Sequence, residues 1–162
     1  MESAGTPTEF NLTAGLTTGQ QIVKLPVRIH LVNPLLGSNC YIGSAGDPVV
    51  LRPQNTTAPG VAVQRFDADG TRNVDEGAMM RFALTGNNQG DSTFSVPKAT
   101  GCGIGGALSW AVNLKTGLPS ASGNNNLVLN NASTYSGMLT APGIVRPNAG
   151  KVLSQYWHSA VK

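Results

Sequence analysis

Charge is the first thing this chain is short of. Only 12% of its 162 residues are Asp, Glu, Lys or Arg, against roughly 25% in ordinary soluble domains. Its eleven basic residues outnumber its eight acids, for a net charge of +3, but they are strewn from Lys24 to Lys162 without a cluster. Nucleic-acid binding draws its affinity from several adjacent phosphates neutralised together, so no nucleic-acid partner is expected. Long apolar runs are missing too: none reaches the roughly 18 residues of a membrane-crossing helix, and no transmembrane segment is expected. Heptads are absent, which excludes a coiled coil. Aromatics are 6% of the chain and cysteines number two. With no Cys-x-x-Cys and no Cys–His spacing, the chain lacks the signatures of a zinc site or a dithiol redox pair.

Apolar residues make up 40% of the chain. With so little charge, that content argues against disorder. The length suits one domain, able to bury roughly 70% of its unfolded surface. Twenty glycines and ten prolines make it turn-rich. Asn, Thr, Ser, Gln and Gly supply a nearly neutral polar surface, which suits an extracellular protein and does little to keep copies apart.

The clearest element is a strand over residues 22–32. Val23, Leu25, Val27, Ile29 and Leu31 alternate with Lys24, Pro26, Arg28 and His30, which predicts one buried and one wet face. Pro26 lacks a ladder donor and implies an edge position or a bulge. Further short strands are expected at 41–42, 49–51, 61–66, 79–84, 93–96 and 127–129. Turn-rich segments divide them, among them Asp67-Ala68-Asp69-Gly70 and Gly86 to Asp91. One helix is expected at about 107–116, closed by Gly117 in a left-handed cap, with Leu118 folding back and Pro119 preventing continuation. The fold class is therefore mainly β: a single-domain β-sandwich or barrel with one short α-helix and one disulfide. An N-terminal arm (1–21) is expected before a β-rich core (22–133), and a C-terminal segment (134–162) packed on the core or on a neighbour.

Cys40 and Cys102 each sit among small residues. A reactive thiol would need a base, and nothing in the sequence ties His30 or His158 to either cysteine. The favoured reading is one disulfide, hence an oxidising compartment. Met1-Glu2-Ser3-Ala4-Gly5 lacks the basic and apolar regions of a signal peptide; for an exported chain, Met1 then reads as a start codon placed on the mature form.

The one acid-dense stretch holds Asp67, Asp69 and Asp75. An Asp-x-Asp loop can begin a calcium cage, but Gly70 is misplaced for an EF-hand and Asp-Gly after Phe66 is a hairpin signal. The hairpin is favoured, no cofactor is expected, and calcium is the alternative. Gly101-Cys102-Gly103-Ile104-Gly105-Gly106 precedes the helix without the glycine order or Lys-Ser/Thr pair of nucleotide loops, so it reads as a tight loop beside the bridge. No Gly-x-Ser-x-Gly elbow is present. Tyr156 and Trp157 point to opposite faces if extended; with His158 they are candidate contacts for a ligand or partner. Asn11, Asn55 and Asn131 begin Asn-x-Ser/Thr sequons.

Leu35-Leu36-Gly37-Ser38-Asn39-Cys40-Tyr41-Ile42-Gly43-Ser44, then Gly101-Cys102-Gly103 and Gly117-Leu118-Pro119-Ser120-Ala121-Ser122-Gly123, resemble a family of secreted actinomycete proteins of uncharacterised function. The resemblance covers roughly residues 25–130. It implies a paired disulfide and export, and it brings no activity, cofactor or catalytic residue.

The expected function is an exported, non-enzymatic structural or adhesive protein, extracellular or at the cell surface. It could self-assemble into a homo-oligomer or filament through its terminal segments. The alternatives are a carbohydrate or small-ligand binding module and a small secreted hydrolase built on His30 or His158.

Overall fold

The structure is a computed structural model that describes residues 1–67, 71–75, 77 and 79–139. Two antiparallel sheets follow one another along the chain. The first holds β1 (Glu2–Ser3), β2 (Leu25–His30), β3 (Tyr41–Ile42), β4 (Val49–Leu51) and β8 (Ala99–Thr100). The second holds β5 (Gln54–Asn55), β6 (Gly60–Phe66), β7 (Met79–Asp91) and β9 (Leu127–Leu139). Two helices, α1 (Leu12–Leu16) and α2 (Ser109–Thr116), and a 3-10 turn at Ile104–Gly106 complete the described part. The mainly β architecture read from the sequence is what the structure contains.

The alternation in β2 is used as the period of two requires. Leu25, Val27, Ile29 and Leu31 pack on a core of Cys40, Ile42, Val49, Leu51, Ala99 and Cys102. Val112 and Leu118, in and after α2, and Leu127 of β9 close over the same cluster. The expected wet face is not wet: every residue of β2 is half-buried. Its polar side is covered by its own neighbours. Arg28 lies 4.5 Å over the Tyr41 ring, and His30 stacks on that ring at 4.5 Å. Glu2, directly opposite Arg28 in the ladder, pairs with it at 2.9 Å.

Pro26 sits inside the sheet, between β4 and the arm. Ala4 N–H donates to Pro26 O at 3.0 Å, but proline has no N–H to return the bond. The β1 ladder stops there and resumes at a Thr8–Lys24 bridge, with residues 5–7 looping out. The irregularity foreseen at the proline thus falls on the strand facing it.

Three further expectations need correction. Residues 12–16 of the arm form a second helix. Asn11 caps it by accepting the Ala14 N–H at 3.2 Å, and a single turn is too short to leave a periodic signal. Gly86 to Asp91 is not a turn but the continuation of β7. Gly86 takes φ +73°, and the ladder with β9 shifts register on both sides of Asn87, so the polar, Gly-containing run encodes bulges. Thr93 to Val96 is not a strand, apart from a Val96–Ser120 bridge. The Thr93 and Phe94 carbonyls are instead taken by the side chains of Ser122 (2.6 Å) and Asn125 (2.9 Å).

α2 ends as expected. Gly117 is left-handed (φ 69°), and the Leu118 N–H returns to Asn113 O at 2.9 Å. β9 spans Leu127–Leu139 and so includes the first residues of the expected C-terminal segment, the rest of which lies outside the described residues.

Candidate functional site

The best-defined surface features of the described residues gather around the disulfide. Cys40 and Cys102 are bonded and fully buried. The bridge joins two loops, Asn33 to Asn39 and Gly101 to Leu108. Gly103 N–H donates to Leu36 O at 2.7 Å, Leu108 N–H to Cys102 O at 2.8 Å, and Cys102 N–H to the Ser109 hydroxyl at 3.1 Å. Glycine is required in this crossing. At Gly101 (φ +71°) a Cβ would lie 2.1 Å from Asn39 O, and at Gly103 (φ +75°) it would lie 2.6 Å from the Leu108 side chain. The glycine-rich loop therefore serves close approach beside the bridge.

Two neighbouring grooves flank this crossing. One, of about 590 Å³, runs between Pro34 to Asn39 and the Gly101 to Gly106 loop. The other, of about 580 Å³, lies between Leu31 to Leu36 and the Leu108–Thr116 side of α2. Large apolar side chains stand in water along them: Val32 is 86% exposed, Leu35 79% and Ile104 98%. The conformation of the two bridged loops turns them outward.

His30 lines neither groove. Its Nδ1 is 3.8 Å from the Glu2 carboxylate, and among the described residues its buried Nε2 has no hydrogen-bond partner and no Ser or Asp contacts it. Asp67 receives the Asn73 amide on both carboxylate oxygens at 3.2 Å, while its own N–H closes a turn on Thr71 O at 2.8 Å. Asp75 is engaged through its carbonyl, which accepts from Arg65. Among the described residues no three Asp, Glu, His or Cys side chains converge as metal ligands. Asp69 and the candidate contacts Tyr156, Trp157 and His158 lie outside the described residues.

A buried polar cluster was not foreseen. Asn55, 1% exposed, donates to Gly15 O at 2.7 Å and to Thr17 O at 3.0 Å. It accepts from Asn87 and from Gln89, which also reaches Thr134. This cluster clamps α1 to the second sheet. In sequence its members read as loop residues, because nothing local says that an Asn will be buried.

The two sheets also differ in how they meet water. Gly60, Val61, Ala62 and Val63 of β6 are all exposed, with Val61 at 54% and Val63 at 51%. β6 pairs with β7, and among the described residues no strand pairs with the far side of Gly60–Val63. No described helix is long and apolar enough to cross a membrane. Comparison of the chain with protein-family models, with curated proteins and with solved structures finds no match.

Proposed function

We propose that the chain is an exported, non-catalytic protein with a structural or adhesive role, extracellular or at the cell surface, whose copies associate by strand addition. One observation carries the reading: the outer strand β6 exposes four consecutive apolar residues, Gly60 to Val63, with no charge or proline among them. Edge strands that must stay alone are normally guarded by Lys, Pro or a bulge. Here Pro59 precedes the run, and Arg65 and the returning Arg72–Asn73 backbone follow it, but Gly60 to Val63 itself holds none of these.

The disulfide supports export, since such bonds persist in oxidising compartments. The nearly neutral surface supports association. The N-terminal arm, first expected to supply the exchanged strand, is occupied on its own β2. That moves the proposed contact to β6.

Sedimentation velocity over a concentration series tests this. The unaltered chain is expected to associate, and Val63→Lys, which places a charge on the edge, is expected to hold it monomeric with an unchanged circular dichroism spectrum. A chain that stays monomeric at millimolar concentration, or a Val63→Lys variant that associates equally well, overturns the proposal.

A further inference from the structure

We propose that the groove between Leu31 to Leu36 and α2 binds one amphipathic anion at a time: an alkyl chain with an anionic headgroup, taken up as a free monomer. The floor is firm. Leu31, Leu36 and Val112 rest on the disulfide core. The rim carries Val32 and Leu35, which spend 86% and 79% of their surface in water. Isolated exposed valines and leucines are ordinary. Two of them edging a concavity of about 580 Å³, within the usual 300–1,000 Å³ of small-molecule sites, offer an acyl chain a continuous apolar bed.

The headgroup follows from charge. Among the described residues, Lys115, in the last turn of α2, is the one charged residue lining this groove. Among the described residues no carboxylate lies within ion-pair distance of it. Neither lining segment contains an acid, and no Asp or Glu follows Asp91 anywhere in the chain. An anion placed beside Lys115 gains an ion pair that nothing in the described protein already supplies, while a cation meets repulsion. Asn33, which also lines the groove, accepts the Leu35 N–H at its Oδ1 and has its amide NH2 left to donate to an anion.

The site is formed before any ligand arrives. The Cys40–Cys102 bond and the Gly103–Leu36 hydrogen bond tie the two walls together, so little ordering cost is left for binding. Lys115 also faces the negative end of the α2 dipole, a purely structural benefit. The test must therefore read headgroup preference and not stability.

Dodecanoate and dodecyltrimethylammonium, both below their micelle concentrations, are titrated into the 15N-labelled full chain with its disulfide intact. Dodecanoate is expected to shift amides of Leu31 to Leu36 and Leu108 to Thr116 saturably, and to bind about tenfold more tightly than the cation, a factor worth about 1.4 kcal/mol. Lys115→Gln is expected to erase the difference and Lys115→Glu to reverse it, while Leu35→Asp weakens both probes. The proposal is overturned by shifts that map elsewhere or do not saturate, by equal affinities in the unaltered chain, or by a preference that survives Lys115→Gln. It is equally overturned if phosphatidylglycerol vesicles retain the protein while monomeric dodecanoate leaves its spectrum unchanged, which would assign the face to a bilayer.

Discussion

The carboxylate of Asp91 accepts the backbone N–H of Arg52 at 2.6 Å, across the seam between the two sheets. Arg52 follows the last strand of the first sheet before β5, and Asp91 ends β7 of the second. The other carboxylate oxygen takes the Thr93 N–H at 2.8 Å and the Thr93 hydroxyl at 2.7 Å. The residue is 3% exposed, so these bonds replace water. Asp91→Ala strands two backbone donors and is expected to cost about 2–4 kcal/mol. Asp91→Asn, which keeps one acceptor, should cost less. Urea denaturation measures both, and an alanine variant within about 0.5 kcal/mol of the parent would remove Asp91 from this role.

Asn55 holds α1 by donating to two carbonyls while accepting from two amides. Asn55→Ala is expected to cost about 3 kcal/mol, since several buried groups lose their partner together. Asn55→Asp should be worse at neutral pH, because a carboxylate would face the Gly15 and Thr17 oxygens with nothing to donate. Thermal unfolding ranks the two, and an aspartate variant as stable as the alanine variant contradicts the assigned geometry.

Gly101 and Gly105 make a matched pair. Both have positive φ, +71° and +62°, yet only at Gly101 does a Cβ run into backbone, the Asn39 carbonyl; at Gly105 nothing lies within 4 Å. Gly105→Ala should cost about 1 kcal/mol, the conformational term alone. Gly101→Ala adds the collision and should cost about 2–4 kcal/mol. Equal losses in a denaturation series would show that the crossing of the two loops is looser than described.

Glu9 links the arm to the body. The Gln21 amide at 3.0 Å and the Lys24 ammonium at 3.1 Å hold its carboxyl below the ordinary value of 4.5. A carboxyl depressed in the folded state stabilises fully above its unfolded value, and the contribution fades as pH falls through the folded one. The contacts along Thr8 and Lys24 should therefore weaken on acidification below pH 4.5. An NMR titration should place the Glu9 midpoint below that value, and Gln21→Ala should move it back. A midpoint at or above 4.5 in the parent chain contradicts the contact.

Much of this was legible in the residues. The period of two in β2 located the core face, because Leu25, Val27 and Ile29 had one direction in which to bury. Gly117-Leu118-Pro119 located the end of α2, because a left-handed residue followed by proline cannot continue a helix. Short-range chemistry announces itself in this way. What stayed hidden depends on distant partners. Gly86 to Asp91 reads as a turn until Asn87 and Gln89 are seen to bond Asn55, more than thirty residues away. The polar face of β2 reads as wet until Glu2 and Tyr41 arrive over it. The exposure of Val32, Leu35 and Ile104 is set by how the bridged loops run. The cysteine pair marked the neighbourhood of the grooves, but no local pattern marked the grooves themselves.

The burial of Asn55 has a consequence for making this protein. Asn55-Thr56-Thr57 is an acceptor sequence for N-linked glycan, and in the folded chain its amide is sealed inside and committed to four hydrogen-bonding partners. A eukaryotic secretory host attaches sugar to the nascent chain before such a side chain is shielded. Every molecule modified there would carry an oligosaccharide where α1 must dock. Material from such a host would divide into an unglycosylated fraction that folds and a glycosylated fraction that cannot close, whereas a bacterial periplasm would supply the disulfide without imposing that choice.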